Sequence, residues 1–410
     1  MAVPPASRND FEIAIVCALP FEYDAVSHLI DEYYNENYGR ATRDPNIYTN
    51  GRVGAFNVVI VLLSGIGKVK AASATASLRS SYPNLELVLV TGTCGGVPKT
   101  GAGKEIVLGD VVISSAVVQF DLGRLYPDEF ETKNTLNDSL GRPALHIQNL
   151  IITLKTWRGL QLLERRTAFH LEKLQNLHSD GEAIRYEYPG AENDHLYPAS
   201  YLHKHRSTEP CRECNGDPGA VCKASRKLSC RELGCDVQQC VPRKRLQDSE
   251  GLRVPRVHVG CLGSGDTMLK SGEARDRIAK ENGLVAFEME GAGAWDEIPC
   301  IVVKGICHYA DSHGDKSWQN FAAATAASVA KALVEKYPRT DKPPNARQRD
   351  DLGHDLYNNG PSFSSHSPGR TMKLISNNRN RALSSDPRHA LAYDRNEDFM
   401  SRPDINSKRN

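Results

Sequence analysis

A carboxylate stands just past the first apolar run of this sequence, in the segment Ala18–Glu22. In open α/β sheets, ligands bind beyond the carboxyl ends of the strands, so Glu22 is well placed to act as a general base. The alternative is an acidic residue that only stabilises the first turn of the following helix.

Two turns with glycines and hydroxyl groups follow later apolar runs. The first holds Ser64, Gly65 and Gly67, and its glycines would let backbone N–H groups face an anion or a polarised water at a helix N-terminus. Its spacing is neither a P-loop nor the dinucleotide-binding fingerprint, and a lone Gly-x-Gly is more often only a tight turn. We interpret Thr91–Gly96, which contains Thr93, as a second flexible turn at the same edge of the sheet.

The segment Phe287–Ala294 alternates Glu288 and Glu290 with Met289. On an extended backbone the two carboxylates would face one side and Met289 the other. A carboxylate can accept two O–H bonds from a vicinal diol such as that of a ribose, and Met offers an apolar wall to a sugar or base. A charged strand-to-helix junction is an equally good interpretation of the same residues.

Cys307, His308, Asp311 and His313 are concentrated at the end of a late apolar run. His308 suits a proton donor or a hydrogen-bonding group, because an ordinary His titrates near ~6.5. A buried structural His is the alternative. A thiol protease pair of Cys307 and His308 is rejected, because adjacent residues on a strand face opposite sides.

These residues must be positioned by strands and helices, and the hydrophobic pattern predicts an α/β fold. Apolar, β-branched runs without alternation are typical of strands buried on both faces. They occur at Glu12–Leu19, Phe56–Leu63, Leu85–Val90, Asp110–Ser114 and Cys300–Cys307, with a shorter candidate at Val257–Gly260. Helices are predicted at Ala71–Arg79, Glu273–Asn282 and Trp318–Tyr337. The strand–helix–strand order favours the α/β class.

Composition divides the chain into distinct parts. We predict an N-terminal extension over residues 1–10 and one α/β domain over 11–337, interrupted by a polar, Cys-rich insertion at about 175–256. The composition of residues 338–410 predicts a disordered tail, because too few apolar side chains are available to offset the entropy of the chain.

Charge and composition narrow the range of partners. Lys and Arg number 51 against 50 Asp and Glu, so no strong field attracts nucleic acid or an anionic membrane, and a small, nearly neutral ligand fits better. No run approaches the roughly 18 apolar residues that span a bilayer, and the first residues lack a secretory signal pattern. We therefore expect a cytoplasmic protein whose eleven Cys are thiols or metal ligands.

The insertion carries six of those Cys, with His203 and His205 upstream of them. Its Cys211-x2-Cys214 pair, followed by Cys222, is a modest signal for a structural zinc ion, and free thiols are the alternative. We expect catalysis to require no cofactor.

Taken in order, these segments resemble the nucleoside phosphorylase superfamily, above all 5′-methylthioadenosine/S-adenosylhomocysteine nucleosidase and related domains of filamentous fungi. The matching segments are Ala18–Glu22, Ser64–Val69, Thr91–Gly96, Gly109–Ile113, Ser264–Met268, Phe287–Gly291 and Gly305–Asp311. The resemblance implies a three-layer fold with a twisted central mixed sheet flanked by helices, assembled as a homo-oligomer.

The resemblance also implies roles for individual residues. Met289 and Glu290 would contact the ribose, with Glu290 holding its hydroxyls. Met268 would line the base pocket, and Ser64–Gly67 and Thr93 would lie near the anion or water site.

The resemblance further implies a general base, Glu22, for the attacking water. Phosphorylases of this family hold phosphate with arginines, whereas the turn Ala18–Glu22 carries a carboxylate and no Arg. A phosphate dianion beside Glu22 would be repelled, so a hydrolase is favoured over a phosphorylase.

One position departs from the family. Its members carry an Asp that donates a proton or a hydrogen bond to purine N7, and His308 stands at that position here, while Asp311 matches a second acid. General acid help is worth roughly 10²–10⁴-fold, or about 3–5 kcal/mol of barrier. An imidazolium could supply that proton, and a neutral His could donate one hydrogen bond.

Three hypotheses follow. The first is an N-ribosyl hydrolase acting on an adenosine-like nucleoside or a 5′-modified derivative, through Glu22, Glu290 and His308. The second is a nucleoside-binding or signalling module with reduced or lost catalysis. The third is a biosynthetic enzyme that reuses the fold for a non-nucleoside substrate.

Overall fold

A mixed sheet of nine strands forms the centre of the protein. The structure is a computed structural model that describes residues 4–133, 135, 137–177, 186–206, 211–217, 219–247 and 254–339. The disordered tail was predicted over residues 338–410, and all of it except Pro338 and Arg339 lies outside the described residues. Contacts gather the chain up to Arg339 into one unit.

Eleven strands are formed by the residues that the structure describes. Their bounds are β1 (Ile13–Cys17), β2 (Glu32–Tyr33), β3 (Tyr48–Val53), β4 (Phe56–Leu62), β5 (Leu87–Gly96), β6 (Val111–Gln119), β7 (Gly123–Leu125), β8 (Phe130–Thr132), β9 (Val257–Ser264), β10 (Leu284–Glu288) and β11 (Cys300–His308). The central sheet has the order β10-β9-β6-β11-β5-β1-β4-β3-β2, and β7 and β8 form a separate hairpin.

Strand directions bring several strand ends to the same edge of this sheet. β1 is parallel to β4 and β5, and β5 is parallel to β11. β10 also pairs antiparallel with the end of β5, through Ala286 and Phe287. The carboxyl ends of β1, β5 and β11 are therefore neighbours, and β10 approaches them from the side.

Helices flank the sheet. The α-helices are α1 (Pro20–Ser27), α2 (Lys68–Ser81), α3 (Leu145–Leu154), α4 (Trp157–Gln175), α5 (Arg212–Gly216), α6 (Cys230–Leu233), α7 (Lys244–Gln247), α8 (Gly272–Asn282), α9 (Gly291–Trp295) and α10 (Gln319–Lys336). α10 packs on β5 and β11 and against α1 and α4, while α9 packs on β6 and against α2. The α/β class, with a central mixed sheet flanked by helices, is confirmed.

The close packing of α10 on the sheet depends on small side chains. Every residue of α10 from Phe321 to Val334 is buried, and much of this stretch is Ala. A Cβ added at Gly305 of β11 would lie 2.0 Å from the Ala322 carbonyl oxygen, so glycine is required where helix and strand meet.

The turn predicted at Thr91–Gly96 is wrong, because this stretch continues β5 as a strand. It pairs with β11 along one side, and Gly95 and Gly96 pair with β10. A Cβ added at Gly95 would lie 2.7 Å from Cε1 of His308, and one at Gly96 would lie 2.7 Å from Ile306. The glycines therefore make room for neighbouring side chains rather than for a turn.

The Cys-rich insertion was predicted at about 175–256, and α4 ends at Gln175 while β9 begins at Val257. Between these elements the described residues form only short helices, of which α5, α6 and α7 are α-helical. No helix in the described ranges has the length and apolarity needed to cross a membrane.

Candidate active site

Strand ends and the segments that follow them border a cavity of about 380 Å³. The sequence-predicted residues on its wall are Glu22, Thr93, Met268, Met289, Glu290 and His308. Other residues on the wall include Leu19, Ile66, Cys94, Leu269, Lys270, Phe287, Glu288, Cys307 and Ala310. Glu22, Glu290 and His308, which the nucleoside hypothesis requires in one place, do converge there.

Glu22 lies in the first turn of α1 and is only 2% exposed. Its Oε2 accepts from the backbone N–H groups of Ala18 at 3.2 Å and Leu19 at 3.1 Å. Its Oε1 accepts from the N–H and the hydroxyl of Thr93, at 2.7 and 2.9 Å. Burial raises the pKa of Glu22, while the charge of Lys304 and the bonds from Thr93 oppose that rise. A rigidly held carboxyl with a raised pKa suits proton abstraction near neutral pH.

Glu290 forms a buried ion pair with Lys304. The Nζ of Lys304 donates to Oε2 of Glu290 at 2.7 Å, and the N–H of Gly67 approaches Oε1 at 3.4 Å. Burial alone would lower the pKa of Lys304, but the charges of Glu290, Glu22 and Glu288 raise it well above its usual value. The ammonium therefore stays protonated and offsets part of the negative charge behind the cavity wall.

Lys304 was missed in the sequence analysis, although a signal was present. It is the one charged residue inside the apolar run Cys300–Cys307. Because Lys is almost never fully buried unless it is paired, such a Lys indicates a buried carboxylate partner. The sequence does not say which carboxylate that is.

Glu288 has a structural task that differs from that of Glu290. β10 ends at Glu288, and the backbone at Glu290 is helical, with φ −112° and ψ −32°. Glu288 accepts from the N–H groups of Glu290 at 3.0 Å and Gly291 at 2.8 Å, so it holds the turn, and burial raises its pKa. Since the strand stops there, the predicted alternation of faces is wrong, and Met289 borders the same cavity as both carboxylates.

His308, at the end of β11, is held as a neutral ring. Its Nδ1 accepts the N–H of Ala310 at 2.9 Å, which leaves the proton of the neutral imidazole on Nε2. Burial and then the charge of Lys270 lower the pKa of His308 to about 4. At neutral pH the ring can donate one hydrogen bond through Nε2, and it does not act as an imidazolium.

The backbone at Ala310 supports this arrangement of His308. Ala310 has φ of 51°, in the left-handed region that non-glycine residues rarely adopt. Its N–H is thereby the donor that fixes Nδ1 of His308. Strain of this kind persists where the surrounding structure holds it, and it concentrates at functional sites.

Neither Asp311 nor Cys307 takes the place of the Asp that members of the resembled family carry at the position of His308. Asp311 accepts from the N–H of His313 at 2.9 Å, lies 3.5 Å from the Arg275 guanidinium and is not on the cavity wall. Cys307 is on the wall, but its thiol donates to the Cys94 carbonyl at 3.5 Å, and burial raises its pKa to about 12. Cys307 and His308 both border the cavity, so the argument that they face opposite sides of the strand is wrong. The better argument against a thiol protease is that the Cys307 thiol stays protonated and is therefore a poor nucleophile.

Ser64, Gly65 and Gly67, which were predicted to lie near the anion or water site, are not on the cavity wall. Ser64 is exposed, and Gly65 and Gly67 have φ of 142° and 116°, so these glycines provide the turn into α2. The residue of this turn that borders the cavity is Ile66.

The N-terminus of α2 already faces carboxylates of the protein. The N–H of Gly67 approaches Glu290, and the N–H of Lys68 donates to Oδ1 of Asp266 at 2.8 Å. The side chain of Lys68 binds Asp121 at 2.6 Å. An incoming phosphate would compete with these internal anions for the helix N-terminus.

The three Cys predicted as zinc ligands lie together, in the insertion. Cys211, Cys214 and Cys222 form a group with His205 in which the candidate ligand atoms all lie within 4.8 Å of one another. None of these four residues is on the cavity wall.

Comparison with known proteins shows a similarity to one family over part of the chain. Residues 12–155 match the family model of the phosphorylase superfamily. A nucleotide-binding leucine-rich repeat (NLR)-like protein of Hyaloscypha variabilis is 29% identical over 337 residues. That match covers 81% of this chain but only 30% of the relative, so the chain spans less than a third of the relative's length.

A 5′-methylthioadenosine/S-adenosylhomocysteine nucleosidase of Mycobacterium bovis is 22% identical over 331 residues, covering 80% of this chain and 96% of the relative. Among solved structures, the nucleosidase of the same name from Neisseria meningitidis, in complex with methylthio-immucillin-A, is 17% identical. It covers 79% of this chain and 99% of its own, with a TM-score of 0.45. The resemblance drawn from the sequence motifs is confirmed at the level of the superfamily.

Proposed function

We propose that this chain, whose residues 12–155 match the family model of the phosphorylase superfamily, is an N-ribosyl hydrolase that cleaves the glycosidic bond of an adenosine-like nucleoside or a 5′-modified derivative. The observation that carries the proposal is the convergence of Glu22, Glu290 and His308 on one cavity. Each side chain comes from a different strand end, and together they match the three tasks of the reaction: water activation, ribose binding and departure of the base.

Glu22 activates the water. Its raised pKa makes it a better base than an exposed carboxylate, and its four hydrogen bonds keep it in one orientation. The Thr93 hydroxyl is the one of these donors that can rotate away, which would free a lone pair of Oε1 for the water. Thr93 thus positions the base and borders the space in which the water must sit.

Water is a better nucleophile here than phosphate. Glu22 and Glu290 present negative charge to the cavity, and the Lys304 ammonium is already bonded to Glu290. The start of α2, where an anion would otherwise bind, is opposed by Glu290 and Asp266. A phosphate dianion would have to displace these contacts and would be repelled by the carboxylates.

Glu290 and Met289 bind the ribose. The Lys304 bond engages Oε2 of Glu290, whereas Oε1 has only a 3.4 Å approach from Gly67, so Oε1 retains capacity for a sugar hydroxyl. Met268, Ile66 and Phe287 supply apolar surface on the same wall, which suits a purine ring.

His308 assists the leaving base by a neutral hydrogen bond. With a pKa lowered to about 4, the neutral ring donates a hydrogen bond through Nε2 and keeps its proton. A neutral donor recovers only part of the roughly 10²–10⁴-fold benefit of general acid catalysis. We therefore expect turnover well below that of a site with a protonated acid at this position.

The test is a panel of purine nucleosides, including adenosine, inosine and 5′-methylthioadenosine, incubated with the chain and analysed by chromatography. We expect release of free purine together with free sugar, at a rate that does not depend on added phosphate. Formation of sugar 1-phosphate would show that the activity is that of a phosphorylase rather than a hydrolase. Intact nucleosides at high protein concentration would remove the enzyme proposal.

A second candidate is a nucleoside-binding module without turnover. It is favoured by the neutral His308 and by the NLR-like relative, in which the stretch similar to this chain is 30% of a longer protein. Nucleosides that raise the melting temperature without being cleaved, with cleavage appearing in the His308→Asp variant, would support the module. No melting shift with any nucleoside would contradict both candidates.

Homo-oligomeric assembly and a cytoplasmic location remain predictions from the sequence. Size-exclusion chromatography with light scattering tests the first, and a monomer at micromolar concentration would contradict it.

A further inference from the structure

A second group of Cys and His lies where the insertion meets the segment after β11. It consists of His203, Cys230, Cys235 and His313. Three of these residues belong to the insertion, and His313 follows β11 by five positions. Their candidate ligand atoms all lie within 4.8 Å of one another, as do those of the Cys211 group.

The distances within both groups match the edges of a zinc tetrahedron. Zinc–sulfur bonds of about 2.3 Å and zinc–nitrogen bonds of about 2.0–2.1 Å give a sulfur–nitrogen edge of about 3.5 Å in a tetrahedron. Cys230 Sγ lies 3.4 Å from His313 Nδ1. In the other group, His205 Nδ1 lies 3.6 Å from Cys214 Sγ and 3.5 Å from Cys222 Sγ.

The His residues of the new group are oriented as metal ligands are. His313 directs Nδ1 at the sulfur of Cys230, while its Nε2 lies 2.9 Å from the Tyr201 carbonyl oxygen, the type of bond that fixes the tautomer of a zinc-bound His. His203 is only 6% exposed, yet both of its ring nitrogens lack a hydrogen-bond partner. Buried polar atoms are rarely left unsatisfied, so these nitrogens point to a ligand.

Aromatic packing places His313 for this role. The ring centroid of His313 lies 4.3 Å from that of Tyr197 and 5.6 Å from that of Tyr201. Both Tyr residues belong to the insertion, upstream of His203. The insertion therefore supplies both the aromatic rings packed against His313 and the other three residues of the group, Cys230, Cys235 and His203.

We propose that His203, Cys230, Cys235 and His313 bind a structural zinc ion that fastens the insertion to the segment bordering the cavity. The adjacent residues Gly314, Asp315 and Lys316 are on the cavity wall, so the ion joins the insertion to the candidate active site. The Cys211, Cys214, Cys222 and His205 group binds a second ion within the insertion, which completes the zinc site predicted from the sequence.

Donor types favour zinc over other metals. A Cys2His2 and a Cys3His set, each of four ligands, are typical of closed structural zinc sites. The backbone N–H of Ser225 donates to Cys222 Sγ at 3.3 Å, the kind of contact that supports a ligating thiolate. A site with four protein ligands has no open position for chemistry, so the role is structural and independent of the nucleosidase proposal.

The experiment is metal analysis of the full chain, purified without chelators, by inductively coupled plasma mass spectrometry. We expect close to two zinc ions per chain, one for each group. Cys235→Ser and His313→Asn should each lose one ion and keep the other. The matched control is Cys240→Ser, since Cys240 lies in the same insertion but belongs to neither group and should leave both ions in place.

A second measurement decides the matter if a variant fails to fold. In the native wild-type chain, Cys230 and Cys235 should resist alkylation until a zinc chelator is added, and mass spectrometry of the peptides reports each Cys separately. Zinc absent from the wild type, a Cys230–Cys235 disulfide, or free alkylation of both thiols without chelator would each overturn the proposal. The proposal would also be overturned if the wild type bound a single zinc ion and the Cys235→Ser variant still contained it.

Discussion

The cavity and the Cys-rich insertion both bury ionisable side chains, but they satisfy them in different ways. In the cavity, the Lys304 ammonium is bonded to Glu290, and backbone N–H groups bind the carboxylates of Glu22 and Glu288. In the insertion, the nitrogens of His203 have no hydrogen-bond partner. The charged groups of the cavity are thus bonded to other groups of the protein. The Cys and His side chains of the insertion instead converge in an arrangement that suits an added metal ion.

The secondary-structure elements of the two regions also differ. Long, buried strands set the positions of the cavity residues, and their hydrogen bonds do not depend on a ligand. The described part of the insertion has only short helices, which bury little apolar surface of their own. We infer that the cavity is stable without additions and that the insertion depends on its metal.

The largest effect is expected from Lys304→Met. This change leaves Glu290 buried without its partner, so the free energy of unfolding should fall by about 3–5 kcal/mol. Zinc content should not change in the folded fraction, because Lys304 is not in either metal group. Urea denaturation and metal analysis of the same preparation provide both measurements.

Lys331→Met is the matched control for this prediction. Lys331 is also buried and bonded to a carboxylate, but its partner Asp31 does not border the cavity, whereas Glu290, the partner of Lys304, does. We expect lost stability with nucleoside binding retained. A Lys304→Met variant as stable as the wild type, with unchanged nucleoside affinity, would show that the cavity does not rely on this pair.

The pH dependence of turnover should have an acid limb and no loss at neutral pH. Glu22 must be ionised to act as a base, so activity should rise as pH passes through its raised pKa and then reach a plateau. His308, with its pKa at about 4, is already neutral throughout that range. A fall in kcat between about pH 6 and 8 would instead indicate an imidazolium acid.

A smaller effect is expected from Thr93→Val. It removes the hydroxyl donor to Glu22 and keeps the backbone N–H donor. A hydrogen bond to the ionised carboxylate lowers its pKa, so loss of the Thr93 hydroxyl should move the acid limb to higher pH. Thr91→Val is the control, because Thr91 is buried on the same strand with its hydroxyl 3.5 Å from the Leu89 carbonyl oxygen. An unchanged acid limb in Thr93→Val would show that the Thr93 hydroxyl does not affect the pKa of the catalytic base.

The sequence predicted the cavity better than the insertion for a physical reason. Glu22 and His308 lie at the ends of strands that could be recognised locally, and parallel strands bring such ends to one edge. Glu290 follows β10, a strand that the sequence analysis did not predict and that pairs antiparallel with the end of β5. Lys304 was missed because it lies inside a strand, where its carboxylate partner depends on pairing across the sheet.

In the insertion, the local Cys211-x2-Cys214 pair indicated one metal group, but the second needs His313, which the chain brings back only after β11. No local pattern connects His313 with Cys230 and Cys235. The same limit explains Thr91–Gly96, whose glycines look like a turn until the packing of His308 and Ile306 against them is known.

The most direct test of the central claim compares purine release with nucleoside binding in the wild type and in Glu22→Gln, using the nucleoside that the panel selects. Glu335→Gln, at a partly buried carboxylate bonded to Arg166 and His170, is the control. We expect Glu22→Gln to keep the melting shift caused by the nucleoside and to lose roughly 10²–10⁴-fold in purine release, with Glu335→Gln releasing purine normally. Equal release by Glu22→Gln and the wild type would contradict the assignment of Glu22 as the base and, with it, the proposed mechanism.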